Sequence, residues 1–347
     1  MSTSLASSKW QAAVGPAVLL SRATLLRSIR EFFNDRKVVE VLTPVMSAAA
    51  ATDPNIHSFS VPLLETNLND TSSGSAQDVC YLHTSPEFPM KRLLASGSGD
   101  IYQICSVFRQ GEAGRRHNRE FQMLEFYRLG MGQHQLMDEV EELLVACIAD
   151  QLSLSPDSEL PNIQFTRISY FDALERACGL TRQGLSVAAI AAVLKERAID
   201  CPLDQSDDID EWLDLLFATV VFDSFNPDGF TFLYDYPASQ AALARLRDDG
   251  DGPLAERFEL FYGALELANG FHELEDADQQ LQRFENEREL RQQRGLPLPP
   301  IDTHLIDALR AGLPDCAGVA IGIDRLQMVL TGSNSIADVM AFPADRA

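Results

Sequence analysis

Lysine is scarce in this 347-residue chain. Only Lys9, Lys37, Lys91 and Lys195 occur among 28 basic residues, and the rest are arginine. Arginine is the better planar fork for phosphate and carboxylate, so these cations are expected to be placed rather than scattered. Against 51 acidic residues they leave a net charge of −23. Such a surface repels nucleic acid, whose binding is driven largely by Lys and Arg contacts to phosphate. No CxxC pair occurs among the six cysteines (Cys80, Cys105, Cys147, Cys178, Cys201, Cys316), so a zinc site is not expected. Those in apolar stretches such as LLVAC and IYQIC read as reduced core residues. No apolar run of about 18 residues exists to span a membrane. The N-terminus has neither a cationic n-region nor a long apolar core, so it is a poor signal peptide. A soluble, cytoplasmic protein with no membrane or tRNA partner is expected. Its 46% hydrophobic content suffices for one large or two ordinary domains.

The most informative stretch runs from Cys105 to Gly130. It reads as a strand, Ile101 to Phe108, then a polar loop, Arg109 to Asn118, then a strictly alternating strand. Phe121, Met123, Glu125 and Tyr127 share one face of that strand, and Gln122, Leu124, Phe126 and Arg128 the other. A loop with three arginines on so acidic a chain calls for an anionic guest, and a nucleoside triphosphate is the natural candidate. A solvated hairpin tip is the alternative.

Elsewhere, Ala17 to Asn34 reads as a helix, with Leu19, Leu20, Leu25, Leu26, Ile29 and Phe33 on or near one stripe. Val38 to Met46 is strand-like, broken by Pro44. Residues 66–79 read as a polar surface loop. Ser85, Pro86 and Glu87 form a helix-start signature in which Ser85 caps. His134 to Ala149 is an amphipathic acidic helix, and residues 150–230 read as a helical insertion. In RFELFYGALELANGF, a turn at Tyr262-Gly263 would set Glu259 directly opposite Glu266. Two facing carboxylates are destabilising unless one is protonated or a cation sits between them. Oxygen-only ligation suits Mg²⁺, which uses one or two carboxylates plus substrate phosphates. The alternative is that both point to water. Last, Val319 to Ile323 reads as a buried strand interrupted by Gly322. Asp324 then caps a helix carrying Arg325 in its first turn, which makes an anion site.

VVEVLTPVM, FRQGEAGRRHNREFQMLEFYR and GVAIGIDRL resemble motifs 1, 2 and 3 of the class II aminoacyl-tRNA synthetases, in the lysyl subgroup. TSPEFPMKRLL and ELANGFHELEDADQQLQRF match that subgroup too, so the resemblance covers about Leu19 to Ala347. It implies an α+β fold: a single class II synthetase-like catalytic domain over residues 1–347, with a mainly antiparallel sheet flanked by helices. Motif 1 begins within the first fifty residues, which leaves no room for an anticodon-binding domain. PASQ, LPDC and AFPADRA resemble the truncated paralogues that modify translation elongation factor P.

The resemblance implies an ATP-dependent ligase that activates (R)-β-lysine, or lysine, as an adenylate. The aminoacyl group then passes to a lysine of elongation factor P. It also implies a homodimer, with motif 1 at the interface. Arg109 would hold the α-phosphate and the substrate carboxylate, and Phe121 would stack on adenine near Asn118. Gln110, Gly111, Glu112 and Leu260 complete the implied ATP site. Arg325 would grip the γ-phosphate, with Gly322 allowing close approach, and Glu259 and Glu266 would carry Mg²⁺. Ser85, Pro86 and Glu87 would face the substrate's amino end. Tyr127, Glu125 and Glu273 would receive the terminal ammonium, while Glu266 and Ala320 border the amino acid. Ala320 replaces a usual glycine, which would reshape the pocket. Other departures are Gly111 at a usual glutamate, Arg119 at a usual proline and Lys37 at a usual glycine. Glu112 would either substitute through a shifted loop or leave one ATP contact missing. His272 and His117 are candidate bases. The rival readings are a lysine-activating enzyme with another acceptor, and a non-catalytic amino-acid-binding regulator.

Overall fold

A computed structural model describes residues 10–63, 79–154, 161, 163–203 and 206–347. Most of the expected loop at 66–79 lies outside these residues. Helix α1 (Pro16–Asp35) begins on a proline, whose missing N–H costs nothing in a first turn. Leu25, Ile29, Phe32 and Phe33 are buried, but Leu19 and Leu20 are 45% and 54% exposed, so only the second half of the expected stripe faces the core. After α1 the chain turns through Lys37, which takes φ +58°, the left-handed region that favours glycine. The usual glycine at this position therefore has a conformational reason.

Motif 1 is far less regular than a strand. Only β1 (Val39–Glu40) and β2 (Met46–Ser47) are extended, on either side of Pro44. β2 joins β3 (Ser60–Pro62) and β4 (Val79–Leu82) in a small antiparallel sheet ordered β2-β4-β3. Helix α2 (Glu87–Ala95) leads into β5 (Ile101–Phe108) and β6 (Glu120–Leu129), an antiparallel pair matching Ile101 with Tyr127 through Phe108 with Glu120. Helix α3 (Gln133–Leu154) follows.

The described residues between 150 and 230 are mainly helical, in α4 (Tyr170–Cys178), α5 (Val187–Glu196) and α6 (Ile209–Leu216). They also hold β7 (Phe165–Ser169), which the helical reading lacked. β7 lies parallel to β8 (Phe230–Pro237) at a sheet edge. After β8 comes β9 (Leu246–Asp248). β10 (Pro253–Tyr262), β11 (Leu265–His272), α7 (Ala277–Gln293), α8 (Thr303–Gly312), β12 (Cys316–Gly322) and α9 (Ile323–Thr331) complete the chain.

Among the described residues the main sheet has nine strands, ordered β1-β5-β6-β12-β11-β10-β8-β7, with β9 on β10. All neighbouring pairs are antiparallel except β1–β5 and β7–β8. One core packs α1, α3 and α9 on one face through Phe33, Leu143, Leu326 and their neighbours. A second gathers α4 to α6 on β8 and β10, and a third sets α2, α7 and α8 against Tyr127 and Cys316. The alternation read in β6 holds: Leu124 and Phe126 enter the first core while Met123, Glu125 and Tyr127 face a cavity on the other side.

The hairpin β10–β11 corrects the expected register. Tyr262 pairs with Leu265, so the turn residues are Gly263 and Ala264, and Gly263 takes φ +53°. The register then slips between Leu260 and Phe261. Glu259 stands opposite Asn269, not Glu266, and Glu266 stands opposite Phe261. A β-bulge adds one residue to a strand, and an alternation pattern cannot reveal it.

Candidate active site

A cavity of about 300 Å³ lies over the middle of the sheet, between β6, β11, β12 and α2. Ser85, Glu87, Arg109, Glu125, Tyr127, Glu273 and Ala320 all line it, although they come from five separate segments. Its floor is acidic. Glu125 Oε1 accepts from the Tyr127 hydroxyl at 2.6 Å, and Glu125 Oε2 from Ser85 Oγ at 2.7 Å. Burial, then the charge of Glu87, pushes the Glu125 carboxyl up to about 7, against the pull of those two hydroxyls. Burial likewise pushes Glu273 up to about 8.

Ser85 is not the cap residue itself. Pro86 holds that position and α2 starts at Glu87, one residue later than expected. Ser85 Oγ accepts from the Glu87 N–H at 3.0 Å and gives its proton to Glu125. The helix start and the acidic floor are therefore one construction. Beneath it lies Lys91, which the sequence reading gave no role. Its Nζ is 2.6 Å from both Glu87 Oε1 and Glu273 Oε2, and the residue is 1% exposed. Burial alone would lower the Lys91 pKa, but Glu273 and Glu87 outweigh it and raise it. Two signals were available: Lys91 is one of four lysines, and it follows Glu87 by four residues on a helix.

Ala320 pairs with Glu125 on one side and Asn269 on the other, so its methyl group stands at the centre of the floor. Leu260 is fully buried in the first core, between Phe232 of β8 and Ala268 of β11, and does not line the cavity.

The polar loop brings the other charged groups together. Arg109 Nε donates to the Thr84 carbonyl at 3.4 Å, and its guanidinium lies 5.2 Å from the Phe121 ring centre. Gly111 takes φ +88°, a conformation that a glutamate would enter only with strain. Glu112 reaches back to within 3.5 Å of Arg109 Nη1, which favours the shifted-loop alternative. The Gln110 N–H donates to the His57 carbonyl at 2.7 Å. Asn118 Nδ2 donates to the Glu120 carbonyl, and its Oδ1 accepts from the Ala344 N–H at 3.1 Å, tying the loop to the C-terminal segment. Phe121 and Asn118 line a neighbouring cavity rather than the acidic one.

Arg325 stands in the first turn of α9. It donates to the Glu266 carbonyl at 2.9 Å and lies 3.3 Å from that residue's carboxylate. Asp324 is not the cap; Gly322 is. Asp324 is buried, accepts from the Gln122 N–H at 2.7 Å and pairs with Arg22 at 2.7 Å, locking α9 to β6. Glu259 is half-buried and bonded to Arg257, another residue the sequence reading passed over. Burial raises the Glu259 pKa; Arg257 opposes this and the charge of Glu266 adds to it. The two glutamates therefore feel each other even though they do not pair directly.

Neither candidate base has a free lone pair over the acidic floor. His272 is held between Glu256 at 3.2 Å and Asp315 at 2.7 Å, and His117 accepts from Arg325. Among the described residues no group of three metal-ligating side chains converges, so any cation at Glu259 and Glu266 would need oxygens from a ligand.

The sheet order, the polar loop between β5 and β6 and the β12–α9 junction define a class II synthetase core. The chain matches the family "tRNA synthetases class II (D, K and N)" over residues 10–346 and belongs to it. Two relatives narrow the class. A protein of Yersinia enterocolitica is 45% identical over 343 residues, covering 97% of this chain and 98% of the relative. One of Salmonella arizonae is 42% identical over 338 residues, with the same coverage. Both are named elongation factor P–(R)-β-lysine ligase.

Proposed function

We propose that this protein is an ATP-dependent ligase that activates (R)-β-lysine and attaches it to a lysine ε-amino group of elongation factor P. The observation that carries the reading is one cavity joining Arg109 to three carboxylates, Glu87, Glu125 and Glu273. An amino acid with a carboxylate at one end and ammonium groups along its length fits that distribution, since buried carboxylates need cations. The relatives' names supply the identity of the amino acid and of the acceptor.

In the first step the substrate carboxylate attacks the α-phosphorus of ATP and pyrophosphate leaves. Catalysis of such an in-line displacement is mostly positioning and charge neutralisation. Arg109 holds the carboxylate against the α-phosphate, and Phe121 stacks on the adenine beside Asn118. Gln110, Gly111 and Glu112 frame the nucleotide, beside the strand that carries Leu260. Arg325 takes the γ-phosphate next to Gly322. In the second step the acceptor amine attacks the adenylate carbonyl, AMP leaves, and the amine loses a proton as the amide forms. Ser85, Pro86, Glu87, Glu125, Tyr127 and Glu273 hold the amino acid in place throughout, and Ala320 shapes the space beside them.

Glu259 and Glu266 fit a hard divalent cation: both are oxygen donors, and burial together with the charge of Glu266 raises Glu259, a cost that a nearby cation relieves. Mg²⁺ held there would neutralise phosphate charge. A homodimer is supported by exposed apolar residues in the motif 1 segment, where Val39, Leu42 and Met46 are 53%, 86% and 47% exposed. The net charge of −23 disfavours tRNA as the acceptor. The cytoplasm, where elongation factors work, is the expected compartment.

The test is incubation of elongation factor P with enzyme, ATP, Mg²⁺ and (R)-β-lysine, followed by intact-mass analysis. One added β-lysyl unit on one lysine is expected. An unmodified mass from enzyme that is active in pyrophosphate exchange overturns the choice of acceptor.

A further inference from the structure

The acidic floor contains one more positive charge than a plain diamino-acid site requires. Glu87, Glu125 and Glu273 carry three negative charges when ionised, and Lys91 lies beneath them, bonded to two of the three. We infer that Lys91 is a built-in counter-ion that cancels one of these carboxylates, leaving a site matched to a substrate with two ammonium groups. This rests on the reading of the cavity as an amino-acid site.

Lys91 is a positioning residue, because it touches the glutamates from behind and does not line the cavity. The groups around it come from every neighbouring element. α2 brings Glu87, β6 brings Glu125 and Tyr127, β11 leads into Glu273, and β12 begins at Cys316. Burial raises the Tyr127 and Cys316 groups, so both stay neutral near neutrality. Arg109, Arg92, His83, Asp53, Glu287 and Asp302 also border the cavity.

Within the floor cluster itself, three carboxylates and one lysine leave two excess negative charges, while Asp53, Glu287 and Asp302 on the walls stand against Arg92 and Arg109. In the empty site the floor's excess charges are relieved by protonation, in keeping with Glu125 at about 7 and Glu273 at about 8. A substrate with two ammonium groups restores both charges and expels the protons. Without Lys91, Glu87 and Glu273 would face each other uncompensated, and one more proton would have to leave on binding. Glu287 is raised to about 7 by burial and titrates in the same range, so the Lys91 variant carries the test rather than the wild-type profile alone.

The experiment is ATP–pyrophosphate exchange by wild type and Lys91→Met with (R)-β-lysine, lysine and norleucine, across about pH 6 to 9. For the variant, KM is expected to rise about tenfold or more near neutrality, with kcat little changed and KM recovering towards wild type at the alkaline end. Lys91→Arg, which keeps the charge, should retain the wild-type pH profile. A KM defect independent of pH, or a loss confined to kcat, overturns the inference and leaves Lys91 a plain structural ion pair. Wild-type enzyme that fails to prefer diamino acids over norleucine overturns the reading of the cavity as well. If neither variant folds, calorimetry of the wild type in two buffers of different ionisation enthalpy gives a separate test. Binding of (R)-β-lysine must release more protons than binding of norleucine, and equal release overturns the inference.

Discussion

Arg325 donates from Nη2 to His117 Nε2 across 2.8 Å, joining the first turn of α9 to the tip of the polar loop after β5. His117 can accept that bond only when Nε2 carries no proton. Burial, then the charge of Arg325, lowers its pKa and keeps it neutral. The same arginine holds Glu266, so three segments far apart in sequence meet on one guanidinium. Arg325→Ala is expected to cut kcat/KM for ATP by about 100-fold or more in pyrophosphate exchange. His117→Ala should cost far less, roughly the several-fold effect of one neutral hydrogen bond. Equal losses for the two would show that the loop position, rather than the arginine's charge, is what the nucleotide needs.

The pH dependence of stability follows from the floor carboxylates. Glu125 and Glu273 have folded pKa values above the ordinary range, at about 7 and about 8. Their contribution to stability is complete below their unfolded pKa and is lost as pH rises through the folded values. The unliganded protein should therefore lose stability progressively between about pH 4.5 and about pH 8. Glu125→Gln keeps an oxygen acceptor but removes the titration, so thermal melting should show a flatter slope over that range. Saturating (R)-β-lysine should flatten the wild-type slope too. An unchanged slope in both cases would place the titration elsewhere.

Elements governed by local pattern were legible in the sequence. β5, its polar loop and the alternation of β6 were readable because each residue's face follows from strict period-two geometry. The same reading misplaced Glu259 against Glu266, because the turn lies at Gly263-Ala264, one residue later than read, and the slip between Leu260 and Phe261 adds a further residue that alternation does not mark. Lys91 went unassigned because its partner Glu273 lies 182 positions away and only folding brings them together. Asp324 looked like a helix cap, but its carboxylate is turned to the Gln122 N–H of β6 and to Arg22 of α1. Leu19 and Leu20 fit a helical stripe, yet α1 buries only its second half.

Lys37 offers a test of backbone strain remote from the site. Its φ of +58° costs an L-residue about 1–2 kcal/mol relative to glycine. Glycine loses some of that advantage through the entropy of the unfolded chain. Lys37→Gly should thus stabilise by about 1 kcal/mol or slightly less, raising the melting temperature by roughly 1–2 °C. Exchange activity should not change. A lowered melting temperature would mean that the lysine side chain makes up for the strain.

Ala320 lies between Glu125 and Asn269 on the cavity floor, so removing its methyl group enlarges the space beside the amino acid by one carbon. A pocket change of that size is worth about 1–3 kcal/mol in discrimination. Ala320→Gly is expected to shift the ratio of kcat/KM for (R)-β-lysine over lysine towards lysine, measured by pyrophosphate exchange with each. An unchanged ratio would place the selectivity on the polar contacts instead.

Two glycines on β12 separate the demands of the fold from those of a ligand. A Cβ on Gly318 would lie 2.3 Å from Tyr127 Cε1 and 2.6 Å from Glu273 Oε1, far inside contact distance and against two fully buried side chains. On Gly322 it would meet nothing closer than 3.8 Å. Gly318→Ala should therefore destabilise by about 1–3 kcal/mol and raise the KM for the amino acid, because Tyr127 and Glu273 must both give way. Gly322→Ala should leave the melting temperature unchanged and raise the KM for ATP alone, since only a nucleotide approaching the backbone would find the methyl group in its way. Melting curves paired with separate KM values for ATP and amino acid distinguish the two. A Gly322→Ala enzyme with a normal KM for ATP would move the nucleotide away from this junction.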